Sequence, residues 1–212
     1  MCWSATADLV AGAGIAAVGV ASVARVRESR CLPLAALPLL LGAHQLVEAA
    51  VWHRGGGGGA ATVVWAVIAL PLLAVWVPAG VWCAAPPPAR PRLVPPLAVG
   101  VVTAVFLAYG LARGPVTAEI HGRTIGYAFH LPHPPLLVAG YLLATVGSLL
   151  LSGDRRLSLL GVLVALGALG CWALWRLEFV STWCALAAVC SVLLFDWTRT
   201  RSAAKSPGSP VT

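Results

Sequence analysis

Residues 42 to 54 read GAHQLVEAAVWHR. In a helix His44, Glu48 and Trp52 are each four apart and share one face, with Gln45 beside it. A carboxyl group in an apolar helix is costly in hydrocarbon and marks a position kept for function. The chemistry open to it is proton transfer. A carboxylic acid that stays neutral in apolar surroundings can protonate an alkene or epoxide, and aromatic faces can hold the resulting cation. Glu48 is the leading general acid, with Asp8 or Glu178 as second acid or terminal base. His44, Gln45, Trp52, Trp172, Trp175 and Trp183 are the candidate residues along the substrate path. The same side chains also admit structural roles. Glu48 can bond another helix or pair with Arg176, Asp8 can cap a helix begun by SATAD, and Glu178 can pair with Arg176. His44 and Glu48 also have the spacing of two metal ligands, which His121, His130 or His133 could complete. No HExxH is present, however, and no metal or other cofactor is expected.

These residues must be positioned by membrane helices. Of 212 residues 59% are hydrophobic and 10% charged, and the mean hydropathy is +0.89, which excludes an ordinary soluble protein. The expected fold is an all-α polytopic membrane protein of seven transmembrane helices in the cell membrane. The spans are roughly Ser4 to Ala24, Leu32 to Trp52, Ala61 to Trp82, Leu93 to Leu111, Pro135 to Leu151, Leu157 to Trp175 and Phe179 to Trp197. They form a single domain, 1–201, followed by a disordered cytoplasmic tail, 202–212. The first span lacks the flanks of a cleavable signal peptide and is expected to stay as a helix.

Charge sets the orientation. Ten of the fourteen Lys and Arg residues, from Arg25 to Lys205, fall in one set of connections. The positive-inside rule then puts the N-terminus outside and the C-terminus in the cytoplasm. The net charge of +7 is spread in short clusters, as topology requires, and no nucleic-acid partner is inferred. Glu28, Asp154 and Asp196 lie beside cytoplasmic arginines and read as solvated charge balance. Asp8, Glu48 and Glu178 instead gather towards the outer face, Glu48 about 6 Å inside Trp52 at 1.5 Å per residue.

The connections have characters of their own. Gly55 to Gly59 reads as a flexible outer linker. Gly114 to Pro134, the longest outer connection, has strand-like residues on both sides of His121-Gly122 and is expected to form a short outer β-hairpin. No internal repeat of the transporter kind is present. Of the nine tryptophans, Trp3, Trp52, Trp65, Trp82, Trp175 and Trp197 fall near span ends and read as interfacial anchors. The six cysteines form no metal or redox motif and read as small apolar residues.

Four stretches carry a resemblance: MCWSATAD, PLAALPLLLGAHQLVEAAVW, IHGRTIGYAF and FVSTWCALAA. They resemble an uncharacterised family of small bacterial seven-helix membrane proteins. Its members commonly begin Cys-Phe-Ser-Ala and carry Gln-Gln-x-x-Glu-Gly-x-x-Trp. Here Trp3 replaces the Phe, His44 stands at the first Gln and Ala49 at the Gly. The layout is also similar to the small actinomycete membrane-bound terpene cyclases. That likeness implies protonation-initiated cyclisation of a prenyl chain on a hybrid terpenoid, with a lipophilic prenylated substrate and membrane lipid as partners. The competing expectations are a small-molecule transporter or sensor using the three carboxylates, and a metal-dependent membrane hydrolase using the histidines. The oligomeric state is not legible.

Overall fold

The computed structural model describes residues 4–174 and 179–203. Seven helices are present among them: α1 (Ala5–Ala24), α2 (Ser29–His53), α3 (Ala60–Ala84), α4 (Pro91–Arg113), α5 (Pro134–Leu150), α6 (Arg155–Leu174) and α7 (Phe179–Ala203). The first four are long and apolar enough to cross a membrane, and α5 is a shorter apolar helix. Sequence neighbours pack together, α7 returns to α1, and α3 also meets α5.

The bundle carries large apolar side chains on its outer surface and encloses several polar ones within its interior. Val10, Val105 and Leu136 are exposed, whereas Asp8, Gln45 and Glu48 are buried. Water would favour the opposite distribution, so the surface is compatible with a lipid surrounding.

The tightest helix pair is α1 on α2. A Cβ on Gly42 would stand 2.7 Å from the Ala16 backbone nitrogen, and one on Gly19 would stand 2.6 Å from that of Leu39. Only glycine lets these backbones approach so closely. The contacts run antiparallel, with Gly12 against Gln45 and Leu46. Continuing that register by one turn puts Asp8 level with Ala49 and Ala50, next to Glu48 in the chain.

Proline breaks two helices. In α2, Ala36 interrupts the helix between Leu32–Ala35 and Leu37–His53, because Pro38 cannot donate a backbone hydrogen bond. Beside the break, Trp76 of α3 donates its Nε1–H to the Pro33 carbonyl at 2.8 Å. In α3, Pro71 lies in a π-helical turn, Ile68–Leu72. There the Leu73 N–H bonds the Ile68 carbonyl, five residues back. The Ala69 carbonyl is thereby released and accepts the Tyr141 hydroxyl of α5 at 2.9 Å.

Between α4 and α5 lies the expected hairpin. Strands β1 (Thr117–His121) and β2 (Thr124–Ala128) pair antiparallel about the turn Gly122-Arg123. Gly122 has φ 62°, fitting the two-residue turn that favours glycine first. Ala118 and Ile120 pair with Tyr127 and Ile125, and all four pack against the bundle.

Several expectations need correction. The glycine segment is an ordered turn fastened to the hairpin, because Gly57 and Ala118 exchange both backbone hydrogen bonds. Gly55, Gly56 and Gly57 all have φ between 72° and 82°, which other residues resist. Trp65 and Trp197 are fully buried, so neither is an interfacial anchor. Asp154 does balance an arginine, pairing with Arg201 at 3.3 Å, but it is more than a solvated counter-charge: its Oδ2 also accepts Trp197 Nε1–H at 2.9 Å and its Oδ1 caps α6 through Arg156 N–H. Ser4, not Asp8, caps α1, since its Oγ accepts the Ala7 N–H. Helix α7 continues to Ala203, into the expected tail, and the rest of that tail lies outside the described residues.

Candidate functional site

Four buried polar side chains, Asp8, His44, Gln45 and Glu48, collect in the half of the bundle nearer the hairpin. Helix α2 supplies His44, Gln45 and Glu48, which are 7%, 1% and 0% exposed. Glu48 meets the hairpin, where Tyr127 donates its hydroxyl to Oε1 at 3.4 Å. That ring stacks on Trp65 of α3, with centroids 3.4 Å apart and planes 5° from parallel. Trp65 in turn touches His44, with centroids 5.0 Å apart and planes tilted by 37°. Glu48, Tyr127, Trp65 and His44 thus form a continuous chain of contacts. Asp8, 1% exposed, is buried at the level of Glu48 on α1.

Next to this chain lies a cavity of about 190 Å³. It is bounded by α2, the π-helical turn of α3, α4, the segment after the hairpin, α5 and α7. Its lining is almost wholly apolar, with Leu41, Leu73, Phe129 and Leu142 among the side chains. His44, Gln45 and Tyr141 are the polar residues in that lining. His44 Nε2 and Gln45 Oε1 are buried and have no hydrogen-bond partner among the described residues. Val138, also in the lining, is 52% exposed, so the cavity reaches the apolar outer surface of the bundle beside α5.

The sequence-derived candidates fall into three groups. His44, Gln45 and Glu48 are buried together on α2 as their spacing predicts, and Asp8 is buried on α1. Trp52 packs under the hairpin near Val51, Ala118 and Ile125, and it is not in the cavity lining. Trp175 and Glu178 lie outside the described residues, as do the side chains of Trp172 and Trp183. Tyr127, Phe129 and Tyr141 were not singled out by sequence, and Trp65 was read as an interfacial anchor. The strand alternation in TIGYAF points Ile125 and Tyr127 to one side, a signal that was available for Tyr127. Of the histidines raised as metal ligands, His121 pairs with Glu119 at 3.7 Å on the exposed hairpin face. No group of three His, Cys, Asp or Glu side chains able to hold a metal occurs among the described residues.

The architecture defines an apolar helical bundle with a buried acid, an internal polar pair and a hydrocarbon-lined cavity. A family model described as "Family of unknown function (DUF6629)" matches residues 1–209, and the chain belongs to that family. This agrees with the expected membership of an uncharacterised family, whereas no resemblance to a terpene cyclase is found. No curated protein and no solved structure matches the chain.

Proposed function

We propose that the protein is a membrane-embedded isomerase or cyclase acting on the prenyl chain of a lipophilic substrate, with Glu48 as general acid. In this reading all seven helices span the cell membrane, and the hairpin end faces outward. The observation that carries it is the buried pairing of Glu48 with the Tyr127 hydroxyl, one helical turn from an apolar cavity. The cavity volume, about 190 Å³, exceeds the ~150 Å³ of an apolar engineered cavity that binds benzene. It therefore suits the ring-forming part of a prenyl chain.

The substrate chain lies in the cavity and reaches past Gln45 to Glu48. Proton transfer from the carboxyl forms a C–H bond at one alkene carbon and leaves a cation at the other. The next alkene attacks that cation and closes the ring. Loss of a proton to the Glu48 carboxylate, or to Asp8, ends the sequence, so product and substrate are isobaric. Apolar walls exclude the water that would trap the cation, and the Phe129 ring face helps to hold it.

Membranes containing the protein, incubated with a farnesylated or geranylgeranylated phenol, should yield an isobaric product with fewer double bonds. Glu48→Gln should lower its rate at least about a hundredfold. Full activity in Glu48→Gln would remove Glu48 as the acid. A second reading, a transporter or sensor for the same lipophile, is favoured by one observation: His44 and Gln45, not Glu48, are in the cavity lining. Saturable binding with every prenyl substrate returned unchanged would select it.

A further inference from the structure

Two buried, unsatisfied side-chain atoms belong to residues that line the cavity, and they define the ligand more closely. Gln45 Oε1 can only accept a hydrogen bond, while His44 Nε2 donates or accepts according to its tautomer. Both are buried, both residues line the same apolar cavity, and neither atom has a partner among the described residues. A purely hydrocarbon ligand would leave both unsatisfied, at the full cost of their desolvation. A carboxylate or ether oxygen could serve His44 but not Gln45. A hydroxyl group serves both at once, donating to Gln45 Oε1 while accepting from an Nε2–H.

We infer that the cavity takes a prenyl lipophile bearing a hydroxyl group, with that hydroxyl seated between His44 and Gln45. The chain lies against Leu41, Leu73, Phe129 and Leu142, and the rest of the molecule leaves past the exposed Val138 towards lipid. This rests on the reading of the cavity as a substrate site and adds the class of functional group that the substrate carries there. Access is thus from the side of the bundle, not through the hairpin.

The test is equilibrium binding of geraniol and of geranyl methyl ether to the full chain in lipid nanodiscs. It uses Glu48→Gln protein so that no probe is consumed. A Leu73→Trp variant, with Leu142→Phe as the alternative should the first not fold, fills the cavity and measures simple partition into lipid. Geraniol should bind about tenfold more tightly than its ether, and Gln45→Met should reduce that ratio to about one while keeping the affinity for the ether. Equal affinities, a ratio untouched by Gln45→Met, or no binding above the filled variants would each overturn the inference. The two proposals fail separately. Prenyl turnover by the wild type without hydroxyl preference removes only the hydroxyl site. Hydroxyl preference with no turnover of any prenyl substrate removes only the enzyme reading.

Discussion

The junction between hairpin and bundle can be broken one interaction at a time. Tyr127→Phe removes the hydroxyl that reaches Glu48 and keeps the ring that stacks on Trp65. At 3.4 Å the bond is long, so its worth belongs at the lower end of the usual range. Interhelical hydrogen bonds in membrane bundles average about 0.6 kcal/mol in double-mutant cycles. Tyr127→Phe should therefore cost about 0.6 to 1 kcal/mol. Tyr127→Leu also loses the aromatic pair, worth about 0.5–1.5 kcal/mol beyond simple burial. It should cost at least about 1 kcal/mol more than Tyr127→Phe. Combining Tyr127→Phe with Glu48→Met closes a cycle that isolates the pair from any other contact that either residue makes. The assay is denaturant unfolding in mixed micelles, followed by near-ultraviolet circular dichroism. A coupling energy of about 0.6 kcal/mol is expected. Additive effects within about 0.3 kcal/mol, or equal costs for Phe and Leu at position 127, would refute this account of the junction.

Three further outcomes are expected. Tyr141→Phe leaves the Ala69 carbonyl at the π-helical turn without its donor and should lower unfolding stability by about 1 kcal/mol in the same assay. Gly56→Ala puts a Cβ 2.5 Å from the Ala118 carbonyl oxygen at a φ of 82°, so the hairpin should become cleavable by protease at concentrations that leave the wild type intact. Single cysteines at Thr124 and Arg155, in a chain whose native cysteines are replaced by serine or alanine, should react oppositely with an impermeant thiol reagent on whole cells. The first should label and the second should not, and the reverse pattern would invert the orientation drawn from the arginines.

Which parts of this arrangement were legible follows from how far each signal travels along the chain. His44, Gln45 and Glu48 lie within one helix, so spacing alone put them together. Asp8 needed only the antiparallel packing of α1 on α2. Tyr127 is separated from Glu48 by 79 residues, and no periodicity within one element links them. Trp65 was assigned to the interface because it lies near the end of its span. A helix that is apolar all round gives no moment to distinguish an inward indole from an outward one. The glycine run was read by composition as a linker, although it is a backbone shape matched to Ala118. The same limit applies to Asp154, whose neighbours in sequence are arginines but whose partners Trp197 and Arg201 are 43 and 47 residues away.

The π-helical turn also sets the angular phase of α3. Each residue of an α-helix advances by about 100°, and the wider turn around Pro71 takes up one residue without that advance. Trp65 before it faces Tyr127, while Leu73 and Trp76 after it face the cavity and the Pro33 carbonyl. A regular helix of the same length would rotate one set by about a quarter turn relative to the other. Removing one residue from Ile68–Leu72 could therefore preserve both faces, whereas removing one anywhere else in α3 could not. The segment thus acts as a phase adjuster that lets one helix serve the hairpin and the cavity together.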